Sequence, residues 1–99
     1  MNDARWWLVC YDVHDPARLR RCAGILEGAG QRLQYSVFRC WMTPARMHQL
    51  RWELTQVLEP EDEVLLIPLC PRCLAGMQTT YSARKVPNWP DSPQPHRIV

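Results

Sequence analysis

An α+β fold is predicted by three features of this 99-residue chain. Two nearly continuous apolar runs of strand length, Trp6 to Tyr11 and Val64 to Ile67, flank its first two thirds. Between them lie two stretches with helical spacing, each opened by a capping residue and a proline, and one stretch of alternating polar and apolar residues separates the two. Unbroken apolar runs suit strands covered on both faces, whereas apolar residues three and four apart suit helices with one buried stripe.

The first run, Trp-Trp-Leu-Val-Cys-Tyr, ends abruptly in Asp12. A carboxylate closing a buried strand is costly unless it is exposed or paired. Asp12 is therefore either a loop or capping residue or part of a site. Asp15-Pro16 supplies an N-cap followed by proline at the first helical position, which starts a helix from Pro16 to about Ala29. Leu19, Cys22, Ala23, Leu26 and Ala29 share its apolar face, with Arg18 and Arg21 on another. Gly28 and Gly30 are expected to offer left-handed backbone at the helix exit.

From Gln31 to Met42 the alternation holds in the first half and resumes after Val37, so either two short strands or one bent strand fits. No Asn-Gly or Asp-Gly pair marks a hairpin. Thr43-Pro44 repeats the capping device and opens a helix directing Met47, Leu50, Leu54, Val57 and Leu58 to the core, with Trp52 off that face. Pro60, inside an acidic run ending at Glu63, stops it. Val64 to Ile67 is a second buried strand closed by Pro68 and Pro71. The order is that of a ferredoxin-like βαββαβ sandwich, with its first and last strands expected as the buried pair. This domain is placed at residues 1–86, with an extra edge strand at 77–86, and residues 87–99 form a proline-rich tail.

A chain this short has one modest core, so a ligand site is expected on an edge, a helix end or a subunit interface. Five tryptophans exceed what that core can hide, which points to a homodimer interface. The net charge of +2 conceals an uneven distribution. Seven arginines lie between Pro16 and Arg51 against Glu27 alone, while Glu59, Glu61, Asp62 and Glu63 cluster later. Arginine-rich surface suits a polyanion such as duplex DNA or RNA, the alternative being a solvated basic face. The apolar run at Trp6 is too short for a leader and no stretch suits a membrane span. An odd number of cysteines, three of them within apolar patterns, is read as a reduced, cytoplasmic protein.

Two constellations carry chemistry of their own. Cys70-Pro71-Arg72-Cys73 supplies two of the four ligands of a structural zinc site. A redox role would require the motif to open a helix after a strand, with groups nearby that depress a thiolate pKa. Its prolines favour a tight turn, and the metal and redox readings stand beside that. In Asp12-Val13-His14-Asp15, extended backbone would put Asp12 and His14 on one side, although an exposed loop histidine is the preferred reading. Tyr35 and Phe38 suit either base stacking or the core.

Taken together, Tyr11-Asp12-Val13, Asp15, Arg18 to Arg21 and Arg32-Leu33-Gln34-Tyr35-Ser36-Val37-Phe38 resemble the CRISPR-associated protein two family, the small subunit of the CRISPR adaptation machinery. The resemblance covers about the first 40 residues and fades past Gly76. It implies a ferredoxin-like homodimer in which Asp12 meets its copy across the two-fold axis and the two share a magnesium ion. It also implies that Arg21 and Arg32 contact phosphate and that Tyr11, Ser36 and Phe38 shape the site. Two functions follow from it: a metal-dependent endonuclease on RNA or DNA, and a dimeric adaptor bridging subunits of the integrase, CRISPR-associated protein one. In the adaptor, Arg18, Arg20, Arg21 and Arg32 would form a phosphate-binding track. The alternative is a small ferredoxin-like interaction module holding metal through Cys70 and Cys73.

Overall fold

The computed structural model describes residues 3–76; the expected edge strand at 77–86 and the tail at 87–99 lie outside them. Its elements are β1 (Arg5–Asp12), α1 (Pro16–Ala29), β2 (Gln31–Gln34), β3 (Val37–Met42), α2 (Pro44–Thr55), β4 (Glu63–Leu69) and α3 (Pro71–Ala75). The four strands form one sheet in the order β2-β3-β1-β4, with every neighbouring pair antiparallel. This is the predicted βαββαβ arrangement with a short helix added.

Strand alternation sends Trp7, Val9 and Tyr11 of β1 to one face, and the pairings Trp7 with Cys40 and Val9 with Phe38 bring β3 residues beside them. Cys22 and Leu26 of α1 and Leu50 and Leu54 of α2 pack on that face and are fully buried. Both helices begin as their sequences require. The Asp15 side chain accepts from the Arg18 N–H at 2.9 Å, and Thr43 Oγ1 accepts from the Arg46 N–H at 3.1 Å, each ahead of a proline in the first turn. Trp52 lies outside the core, 62% exposed.

Four details differ from expectation. The central pair is β1 and β3, not β1 and β4, because β4 lies at an edge and helices cover only one of its faces. Val64 and Leu66 pack on the core, whereas Leu65 and Ile67 on the other face are 61% and 39% exposed. Pro68 does not close β4 but lies within it opposite Trp7, which an edge strand tolerates since a proline can leave its unbonded side outward.

The stretch between the helices resolves into two strands turning at Tyr35-Ser36, with an irregularity in β2 between Arg32 and Gln34. Gly30 caps α1 with extended backbone, φ −168°, so handedness is not its reason. A Cβ there would lie 2.6 Å from Cys40 Sγ and closer still to the Arg39 carbonyl oxygen. Close approach of α1's end to β3 is what demands glycine.

Candidate nucleic-acid and metal site

Asp12 is the last residue of β1, and alternation from buried Tyr11 turns it to the sheet face that the helices leave open. Its side chain is 67% exposed, and His14 Nε2 lies 3.5 Å from Oδ1. The register pairs Asp12 directly with Glu63, so two carboxylates stand side by side on adjacent strands. In the sequence Glu63 ends an acidic run that stops a helix, and nothing local links it to Asp12. Only the antiparallel register identifies it.

The neighbouring Tyr35-Ser36 turn is tied to the same strand end. The Tyr11 N–H donates to the Ser36 carbonyl at 3.1 Å, and the Tyr11 hydroxyl donates to the Tyr35 carbonyl at 3.1 Å. Ser36 thus contributes its backbone, and Tyr11 braces the turn from within the core. Burial raises the Tyr11 phenol pKa, and the positive charge of Arg32 partly offsets that, so the hydroxyl remains a donor at neutral pH. The Tyr35 ring, 72% exposed above this turn, is open to a stacking partner. Phe38 is fully buried and has no face to offer a base.

Phe38 instead supports Arg32. The Arg32 guanidinium lies 5.1 Å from the Phe38 ring centroid and 5.9 Å from that of Tyr35, and pairs with Glu27 at 3.7 Å. Since Arg32 is opposite Phe38 in the β2–β3 register, it projects on the helical side of the sheet, away from the face of Asp12.

The other arginines divide sharply. Arg18 is engaged within the chain: Nε donates to Asp62 Oδ2 at 2.8 Å, and Nη2 to Glu61 Oε2 at 3.2 Å and Asp62 Oδ1 at 3.3 Å. Arg20 and Arg21 are exposed on α1 and make no ion pair among the described residues. Arg20, Arg21 and Arg32 therefore offer cationic groups on the helical layer, with Arg18 committed to holding α1 against the loop before β4.

A hard divalent cation such as magnesium needs one or two carboxylates, with water and phosphate oxygens completing its shell. Asp12 and Glu63 fit that requirement in donor type and are opposite one another in the β1–β4 register. Among the described residues no three His, Cys, Asp or Glu side chains gather in metal-binding range. No helix of the described residues is long and apolar enough to cross a membrane.

A family model described as CRISPR associated protein Cas2 matches residues 5–77. CRISPR-associated endoribonuclease Cas2 3 of Synechocystis sp. is 36% identical over 59 residues, covering 60% of this chain and 64% of its own length. CRISPR-associated endoribonuclease Cas2 of Nitratidesulfovibrio vulgaris is 42% identical over 69 residues, or 65% of this chain and 68% of its own. Among solved structures, Streptococcus pyogenes Cas2 superposes with a TM-score of 0.67 at 35% identity, covering 75% of this chain and 96% of that one. A chain of a partial Cas6-RT-Cas1-Cas2 complex shares the fold, with a TM-score of 0.70 at 23% identity over 85% of this chain and 95% of its own.

Proposed function

The chain belongs to the CRISPR-associated protein Cas2 family, and from that premise we propose that it acts in CRISPR adaptation as a homodimeric, nucleic-acid-binding adaptor for the Cas1 integrase. The observation that carries this reading is the division of charge between layers. Arg20 and Arg21 on α1, without an ion pair among the described residues, and Arg32 on the same side of the sheet present a cationic helical surface suited to phosphate oxygens. The part of β4 that faces away from α1 and α2, with exposed Leu65 and Ile67, is suited to a second copy.

The same dimer would bring two Asp12 carboxylates toward one another, each beside its own Glu63. A magnesium ion held there would polarise a phosphodiester and lower the pKa of a water molecule. Asp12 would be the principal ligand and Glu63 the adjacent donor, with the Ser36 backbone and the Tyr11 hydroxyl fixing the end of β1. Tyr35 would position a base over the turn. Cleavage of RNA or DNA at this centre is the second activity proposed, motivated by the exposed carboxylate pair and by the endoribonuclease names of the relatives.

One variant separates the two activities. Asp12→Asn keeps the shape of the side chain but is a poor ligand for a hard cation. As an adaptor, the variant should still bind duplex DNA and support integration with Cas1, while magnesium-dependent cleavage disappears. Both activities must be measured on one preparation whose melting temperature matches that of the parent. Loss of integration along with cleavage would overturn the adaptor reading, and cleavage that survived would overturn the metal assignment.

A further inference from the structure

The Cys70–Cys73 motif lies outside the site described above, and it opens α3 immediately after β4. Cys70 is the N-cap of that helical turn, its Sγ accepting from the Cys73 N–H at 3.4 Å. The two sulfurs are 3.2 Å apart, and both residues are exposed free thiols. A disulfide requires about 2.05 Å between sulfurs, so closing the bond moves them together by about an ångström without relocating either residue. The remaining described cysteines are placed differently: Cys22 and Cys40 are buried, and Cys10 is partly so.

We propose that Cys70 and Cys73 form a reversible dithiol–disulfide pair that exchanges with small-molecule disulfides. Cys70 is the attacking sulfur and Cys73 the resolving one. The Cys70 thiol gives up its proton, and the thiolate attacks one sulfur of oxidised glutathione. That S–S bond breaks, a glutathione thiolate leaves and takes up a proton, and a mixed disulfide remains on Cys70. Cys73 then loses its proton and attacks the Cys70 sulfur, releasing the second glutathione as a thiol. Two protein thiols are oxidised by two electrons, and one small disulfide is reduced to two thiols. Excess reduced glutathione runs both steps backwards.

Hydrogen bonding explains the order of the two sulfurs. The Cys73 N–H, then the Cys73 thiol, stabilise negative charge on Cys70 and hold its pKa below the ordinary thiol value. Burial works the other way at Cys22 and Cys40, pushing both to about 11. Cys70 also lines a cleft of about 370 Å³ together with Trp6, Trp41, Leu69 and Leu74. Zinc is the weaker fit, since the pair gathers no third ligand among the described residues.

The test uses the full chain, purified under reductant and then exposed to oxidised glutathione, with intact mass and peptide mapping as readouts. The parent protein should lose two hydrogens and yield a Cys70–Cys73 crosslinked peptide, which reduced glutathione reverses. Cys73→Ser should trap one glutathionyl group on Cys70, at a rate about tenfold or more above that at Cys10, Cys22 or Cys40. Cys70→Ser should leave Cys73 modified at least about tenfold more slowly than Cys70 is in the reciprocal variant. A trapped adduct no faster at Cys70 than at the other cysteines would overturn the proposal, as would an oxidised product crosslinked only between chains. Stoichiometric zinc that both blocks oxidation and is lost in the two serine variants would replace the redox role with a metal site. Circular dichroism of each variant verifies that the fold persists.

Discussion

Single residues set the tolerance of the fold at two places. Gly30 meets the Arg39 carbonyl and Cys40 Sγ, so even a methyl group forces α1 away from β3. Gly30→Ala should lower stability by about 1–3 kcal/mol, seen as an earlier denaturant midpoint with an unchanged slope. An unchanged midpoint would mean that the helix end shifts freely. Arg32 is held over two aromatic rings, which restricts a long side chain before any phosphate arrives. Arg32→Ala should therefore weaken duplex DNA binding about equally across sequences and reduce the salt slope by roughly one unit. An unchanged slope in a salt titration would remove Arg32 from the phosphate-binding surface.

At the scale of elements, the ion pair of Arg18 with Asp62 joins the first turn of α1 to the loop before β4. The Arg18 hydrogen bond is the main cause that lowers the Asp62 pKa, and the Glu59 N–H adds to it. A carboxylate whose native pKa is depressed stabilises the fold fully above its unfolded value of about 3.9. That contribution is lost as pH falls through the lower native value. Melting temperature followed from neutral to acidic pH should accordingly drop more steeply for the parent than for Asp62→Asn, which should be less stable at neutral pH. Coincident acid limbs would show that the clamp contributes nothing to linkage. The same clamp accounts for Arg18 standing apart from Arg20 and Arg21 on one helix.

For the whole molecule, the decisive feature is a sheet with α1 and α2 on one side; on the other, Trp6, Arg39 and Leu69 are buried while the middle of β4 is not. Exposed Leu65 and Ile67 lie on the other side with Asp12 and Glu63 at its end, so association through this face would bury apolar side chains and gather the carboxylates together. Light scattering at micromolar concentration should give a dimer for the parent. Leu65→Glu should shift it to monomer with little change in secondary structure, because Leu65 is 61% exposed in the single chain. A monomeric parent would refute the dimer, and a dimeric Leu65→Glu would place the interface elsewhere.

Local chemistry made much of this legible in advance. Asp15-Pro16 and Thr43-Pro44 start helices wherever they occur, since cap and fixed φ are properties of the residues themselves, and both helices begin there. The spacing of Cys22 with Leu26 and of Leu50 with Leu54 identified the buried stripes, and the break at Asp12 marked the end of β1. Pairing between strands is different, because hydrogen-bond ladders join residues far apart in sequence and a continuous apolar run does not state its neighbours. Only the tertiary structure therefore made β3, not β4, the strand that shares the centre of the sheet with β1, set Glu63 against Asp12, and sent Arg32 and Asp12 to opposite faces of the sheet. It likewise decided that Arg18 belongs to Asp62, across 44 residues of chain, and that Cys70 and Cys73 open a helix rather than a bare turn.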